Sequence, residues 1–80
     1  MPRKRMVSPE ALEAVALCVE RGEYGKLPNP MKTEEAAAVA RRSPSCVREA
    51  CASGELQAVR FRGTWNINRE SVLHYAGLVI

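Results

Sequence analysis

The stretch Met31-Lys32-Thr33-Glu34-Glu35-Ala36-Ala37-Ala38-Val39-Ala40-Arg41-Arg42-Ser43-Pro44-Ser45-Cys46-Val47-Arg48-Glu49-Ala50-Cys51-Ala52-Ser53-Gly54 decides the fold. Thr33 can cap a helix through its hydroxyl, and Glu34 and Glu35 follow where the positive end of the helix dipole favours them. Ala36, Val39 and Ala40 form an inner stripe, small enough for another helix to cross closely. After Arg41 and Arg42, Ser43-Pro44 restarts the chain as cap and first helical residue. A second short helix is expected from Ser45 to Ser53, with Gly54 ending it in a left-handed conformation. With Ser45 set at zero, Ala50, Val47 and Cys51 fall near ~140°, ~200° and ~240° around its axis. Ser45, Arg48, Glu49 and Ala52 fall within about 60° of zero, so one face is core and the other short, polar and exposed.

Downstream, Val59-Arg60-Phe61-Arg62-Gly63-Thr64-Trp65-Asn66-Ile67 alternates on either side of Gly63 and predicts a β-hairpin. Val59, Phe61, Trp65 and Ile67 are expected on one face, with Arg60, Arg62, Thr64 and Asn66 on the other. That parity demands an odd loop, of three residues. Trp65 is then a core residue and not a stacking platform. Asn68 caps a closing helix whose Val72, Tyr75 and Ala76 point inward, while His74 faces solvent. Gly77 stops it, before an apolar tail at 78–80.

Upstream, Ser8 and Pro9 are N-cap and first residue of another helix, reaching about Arg21. Leu12, Val15, Ala16 and Val19 make its stripe, and Leu17 lies among the acids on the opposite side. Leu27-Pro28-Asn29-Pro30 is a stiff connector, since each proline lacks an N–H and biases its predecessor toward extended backbone. The expected organisation is a basic arm over 1–7, an additional helix and connector over 8–30, the main unit over 31–77 and the tail.

Eighty residues suit one small domain with a modest core. No run of 18 apolar residues exists, which excludes a spanning helix, and the basic start leads into a glutamate-bearing helix unlike a signal peptide. A cytoplasmic protein is expected. Cys18, Cys46 and Cys51 form no CxxC pair; they read as reduced, small core residues, and His74 is the lone histidine, so no metal is expected. There is no nucleophile–base pair, carboxylate cluster or glycine-rich phosphate loop, so neither catalysis nor a cofactor is expected. Net charge is +3, but it is sorted: residues 1–5 carry +3, residues 6–40 are net negative, and residues 41–80 set six arginines against three glutamates. Such sorting points to a polyanionic partner.

Glu34-Glu35-Ala36-Ala37, Ser43, Val47, Ser53-Gly54-Glu55-Leu56, Val59-Arg60, Gly63, Trp65, Ile67 and Arg69-Glu70, in this order, resemble the small excisionase-type, MerR-like winged helix-turn-helix proteins. The resemblance covers about Met31 to Ala76. It implies a mainly α fold with a small β-hairpin wing, here with an extra N-terminal helix. It also implies duplex DNA as partner, with the second helix in the major groove and the wing on the adjacent backbone or minor groove. Members act as excisionases of phages or mobile elements, which bend DNA at repeated sites and steer an integrase, or as small transcription regulators. Arg41 and Arg42 stand where relatives usually have glycine and an aliphatic residue, adding two charges near a phosphate position.

On that reading Ser45, Arg48 and Glu49 meet base edges, since arginine reads guanine bidentately, glutamate accepts from cytosine and serine is permissive. Arg41, Arg42, Ser43, Arg60, Arg62 and Thr64 are assigned to phosphates, which set register and affinity without reading sequence. Arg3, Lys4 and Arg5 are a candidate minor-groove arm or a solvated tail. One recognition helix reads only a few base pairs, so several copies or a dimer are expected on DNA. A reading of another class makes the chain a protein-interaction module acting through the first helix, with Leu17 and the apolar tail.

Overall fold

The computed structural model describes residues 8–78, so the arm Arg3, Lys4 and Arg5 lies outside the described residues, as do Val79 and Ile80. Four helices and a hairpin follow in order: α1 (Pro9–Arg21), a 3₁₀ turn at Tyr24–Lys26, α2 (Thr33–Ala40), α3 (Pro44–Ser53), β1 (Ala58–Phe61), β2 (Thr64–Ile67) and α4 (Arg69–Tyr75). The expected mainly helical fold with a two-stranded wing is the fold observed.

Helix starts follow local chemistry. Ser8 accepts from the Ala11 amide at 3.2 Å, Ser43 from Cys46 at 3.2 Å and Asn68 from Ser71 at 3.0 Å, each satisfying an N–H left over in the first turn. α2 is different. Its cap position is Lys32, one residue before the expected Thr33, and an ammonium cannot accept a hydrogen bond. Glu35 supplies the link instead, its carboxylate accepting from the Lys32 N–H at 2.8 Å.

α2 sits at the centre, packed by α1, α3, α4 and β2. Its buried residues are Ala36, Ala37 and Val39, so Ala37 replaces the expected Ala40, which is only half-buried. Two methyl-sized side chains in succession let several neighbours approach one short helix. On α1, Val15 is buried and Leu12, Cys18 and Val19 are half-buried, whereas Ala16 is exposed. The contact face is thus turned toward Cys18, because α2 meets α1 from that side. α3 buries Val47, Ala50 and Cys51 as expected, and α4 buries Leu73 together with Val72.

The connector takes part in the core. Leu27 and Met31 are buried, and Met31 exchanges backbone hydrogen bonds with Ile67, at 2.8 and 2.9 Å, as a one-residue extension beside β2. Arg69 fastens the same segment from α4: its Nη1 donates to the carbonyls of Gly25 and Leu27, and its backbone N–H to Asn29 Oδ1. That role was not foreseen for Arg69. The bond network explains why α1 and its connector pack as part of the same core.

The hairpin departs most from expectation. Ala58 pairs with Ile67, Val59 with Asn66, Arg60 with Trp65 and Phe61 with Thr64, leaving a two-residue loop, Arg62-Gly63. Both loop residues have positive φ, 53° and 75°, as a type I′ turn requires. The parity of β1 is therefore reversed from the expectation. Ala58, Arg60, Trp65 and Ile67 share the inner face, while Val59, Phe61, Thr64 and Asn66 share the outer one. Assuming that every large apolar residue faces the core forced an odd loop. One residue fewer in the loop turns β1 over. The glycine at the second loop position was the signal for the shorter turn.

Candidate nucleic-acid interface

α3 presents a face divided as its periodicity requires. Val47 is fully buried against α2, and on the opposite side Ser45, Arg48, Glu49 and Ala52 are exposed. Arg48 Nη2 donates to Ser45 Oγ at 3.2 Å, so the guanidinium is drawn back along the first turn of α3. The arginine thus keeps most of its donors open in a semi-fixed position. Glu49, the neighbouring carboxylate, makes no ion pair with Arg48. Among the described residues the one ion pair is Lys26–Glu23, on the connector side.

The turn between α2 and α3 carries Arg41, Arg42 and Ser43, all exposed. Arg41 closes α2 with φ 56°, in the left-handed region, which lets the Arg42 amide donate back to the Ala37 carbonyl at 3.1 Å. The Arg42 guanidinium lies 5.1 Å from the centroid of the Tyr75 ring on α4. Ser43 uses its oxygen as the α3 cap, so its hydroxyl proton is the part left for an outside acceptor.

On the wing, Arg60 lies over Trp65 at 5.8 Å and Arg62 over Phe61 at 5.3 Å. Both distances are within cation–π range, and neither contact uses the N–H donors in a hydrogen bond. Trp65 itself is half-buried and packed against the core, in keeping with the reading of it as core. Thr64 is half-buried on the outer face opposite Phe61. Arg60 is on the inner face of the ribbon, and Arg62 is at its tip, over the outward Phe61 ring.

The remaining candidates sort plainly. Cys51 is buried, and burial pushes its thiol pKa up; Cys18 is half-buried, and Cys46 is exposed. The reading of all three as core residues thus fails for Cys46, which at ~100° from Ser45 falls outside the ~140° to ~240° arc of Ala50, Val47 and Cys51. His74 is exposed. Among the described residues no group of three His, Cys, Asp or Glu side chains is placed to hold a metal ion, and no helix is long and apolar enough to cross a membrane.

Two short helices meeting at a tight turn, with an arginine-bearing ribbon beside the second, are the parts that a duplex reader needs. The sequence model of a helix-turn-helix domain family matches residues 31–77. The chain belongs to that family. It is a DNA-binding family that includes excisionase-like proteins, and its members are typically not enzymes. No curated protein and no solved structure matches the chain. Within the helix-turn-helix, α2 and α3 are the two helices, α3 is the candidate recognition helix, and β1–β2 is the wing.

Proposed function

We propose that this helix-turn-helix protein binds duplex DNA sequence-specifically and acts as an excisionase-like factor, assembling in several copies on repeated sites and bending them. The observation that carries the reading is the charge on the turn and the wing. Arg41, Arg42, Arg60 and Arg62 are all exposed, and none is neutralised by a carboxylate among the described residues. Phosphates are the partner that such side chains fit: each neutralised phosphate releases a counterion and strengthens binding without regard to sequence. Ser45, Arg48 and Glu49 supply the sequence-dependent part from α3.

Only these three long or polar side chains stand on the outward face of α3 where a groove can reach them. A few base pairs are within their reach, far too few for one copy to find a unique site. Repeated sites filled by several copies follow from that shortage, and an integrase is the partner such a nucleoprotein array would serve. A small transcription regulator would use the same contacts; finding an integrase gene beside this one would favour the first reading, and its absence the second.

The test is selection from a random duplex pool, followed by footprinting on the enriched sequence. A motif of a few base pairs, recurring at about one helical turn and occupied by more than one copy, is expected. Arg48→Ala should broaden the motif at a guanine position. A single isolated motif bound one-to-one on every selected duplex would contradict the assembly.

A further inference from the structure

Three large apolar side chains are exposed among the described residues, Leu17 on α1 and, side by side on the wing, Val59 and Phe61. Val59 and Phe61 are 69% and 61% exposed on the outer face of the wing, turned away from the core by the two-residue loop. β1 instead directs Ala58 and Arg60 inward. An exposed apolar pair forgoes the gain of burial, so its placement calls for a surface that covers it.

What surrounds the pair narrows the choice. Thr64 and Asn66 share the face, and Lys32 Nζ donates to Asn66 Oδ1 at 2.7 Å. Arg62 stands over the Phe61 ring from the tip, and no carboxylate occurs anywhere between Leu56 and Arg69. The face is apolar at its middle and cationic at its rim. A phenylalanine buries about 150–250 Å² at most. With Val59 it falls well short of the roughly 800 Å² per partner that a stable protein interface needs. On DNA the pair adds to a surface that the turn and α3 already offer, and phosphate contacts supply a large share of the affinity.

We infer that the outer face of the wing is a second DNA-contacting element, with Phe61 an apolar wedge in the minor groove. Arg62, over the Phe61 ring, holds a flanking phosphate, and Val59 packs on the sugar wall behind the ring. An apolar side chain inserted at a base step unstacks it and bends the duplex toward the major groove. The inference rests on the DNA-binding reading and adds to it the residue that produces the bend.

The experiment compares wild type, Phe61→Ala and Phe61→Leu on the duplex enriched by selection, labelled at both ends for energy transfer. Affinity, bend and thermal midpoint are read at several salt concentrations. Phe61→Ala should bind roughly tenfold more weakly, and the bend should be largely lost. Its salt slope should match wild type, because no phosphate contact is removed. Phe61→Leu should retain most of the bend, and the thermal midpoint should stay constant because the ring is exposed. Equal affinity and equal bend for wild type and Phe61→Ala would overturn the inference while leaving DNA binding intact. So would an unchanged single-site bend with loss of steep binding only on repeated sites, which would give the face to a second copy. Failure of wild type to bind any duplex would instead remove the DNA reading itself.

Discussion

Helices α1 and α2 end in the same way with different residues. At the end of α1, Gly22 takes φ 72° and the Glu23 amide reaches back to the Cys18 carbonyl at 2.8 Å. At the end of α2, Arg41 takes φ 56° and the Arg42 amide reaches back to the Ala37 carbonyl at 3.1 Å. Glycine adopts this conformation freely, whereas a side chain there costs about 1–2 kcal/mol. α3 also ends on a left-handed glycine, Gly54. The exceptions among the described residues are Arg41 in the turn and Arg62 at the wing tip, the two non-glycine residues with positive φ. Both are exposed arginines. Where the chain only has to turn, it uses glycine; strain appears where a guanidinium projects from the surface assigned to DNA. Such clustering of strain at functional positions has a general precedent.

If packing and DNA contact are divided this cleanly between residues, substitutions on the two sides should separate. Ile67→Ala, in the fully buried root of the wing, should lower stability by about 3 kcal/mol in urea unfolding. Its weakened DNA binding should then follow the unfolded fraction alone. Arg48→Ala should do the reverse. The expected loss is about 1–3 kcal/mol of discrimination for the preferred base pair, with an unchanged urea midpoint. A midpoint that fell with Arg48→Ala would blur the division.

Arg41→Gly sharpens the comparison most directly, because it makes the end of α2 like that of α1. The left-handed strain is relieved and one cation is removed. Stability should rise by about 0.5–1 kcal/mol, after allowing for the greater freedom of glycine in the unfolded chain. DNA affinity should fall, and the salt slope should decrease by about one unit. A variant neither more stable nor weaker in binding would dissolve the argument from strain. The smallest effect concerns the thiols. Exposed Cys46 should react with a disulfide reagent within the mixing phase, whereas buried Cys51, its thiolate disfavoured by desolvation, should wait for unfolding.

Much of this was legible in the residues. α3 was written in the spacing of Val47, Ala50 and Cys51, since a helix bound on one side must repeat at its own period. Ser8, Ser43 and Asn68 announced the starts of α1, α3 and α4 through side chains that can accept from a first-turn amide. The wing was misread at one point because apolar character was taken as proof of burial. Val59 and Phe61 are apolar, but the Arg62-Gly63 turn sets the parity of β1, and the turn outranks the preference of single residues. Lys32 as a cap and Arg69 as a clasp depend on contacts with residues distant in sequence or on a carboxylate standing in for a hydroxyl. The Glu35 link is local but was masked by the missing hydroxyl at position 32, whereas no local pattern reports the Arg69 clasp. The exposed arginines were legible from charge and from the family resemblance; their stacking on Tyr75, Trp65 and Phe61 depends on tertiary placement.

The central claim is that the turn, α3 and wing form a duplex-binding surface, and fluorescence anisotropy across a range of salt concentrations tests it most directly. Wild type, Arg48→Ala and Arg60→Ala would be titrated with mixed-sequence duplex and with the selected site. The account predicts a steep negative salt slope for wild type, flattened by about one unit in Arg60→Ala. Arg48→Ala should keep nearly all of its affinity for mixed sequence and lose its preference for the selected site. Absence of binding at low salt, or binding that neither substitution alters, would contradict the claim and move attention to Leu17 and the exposed face of α1.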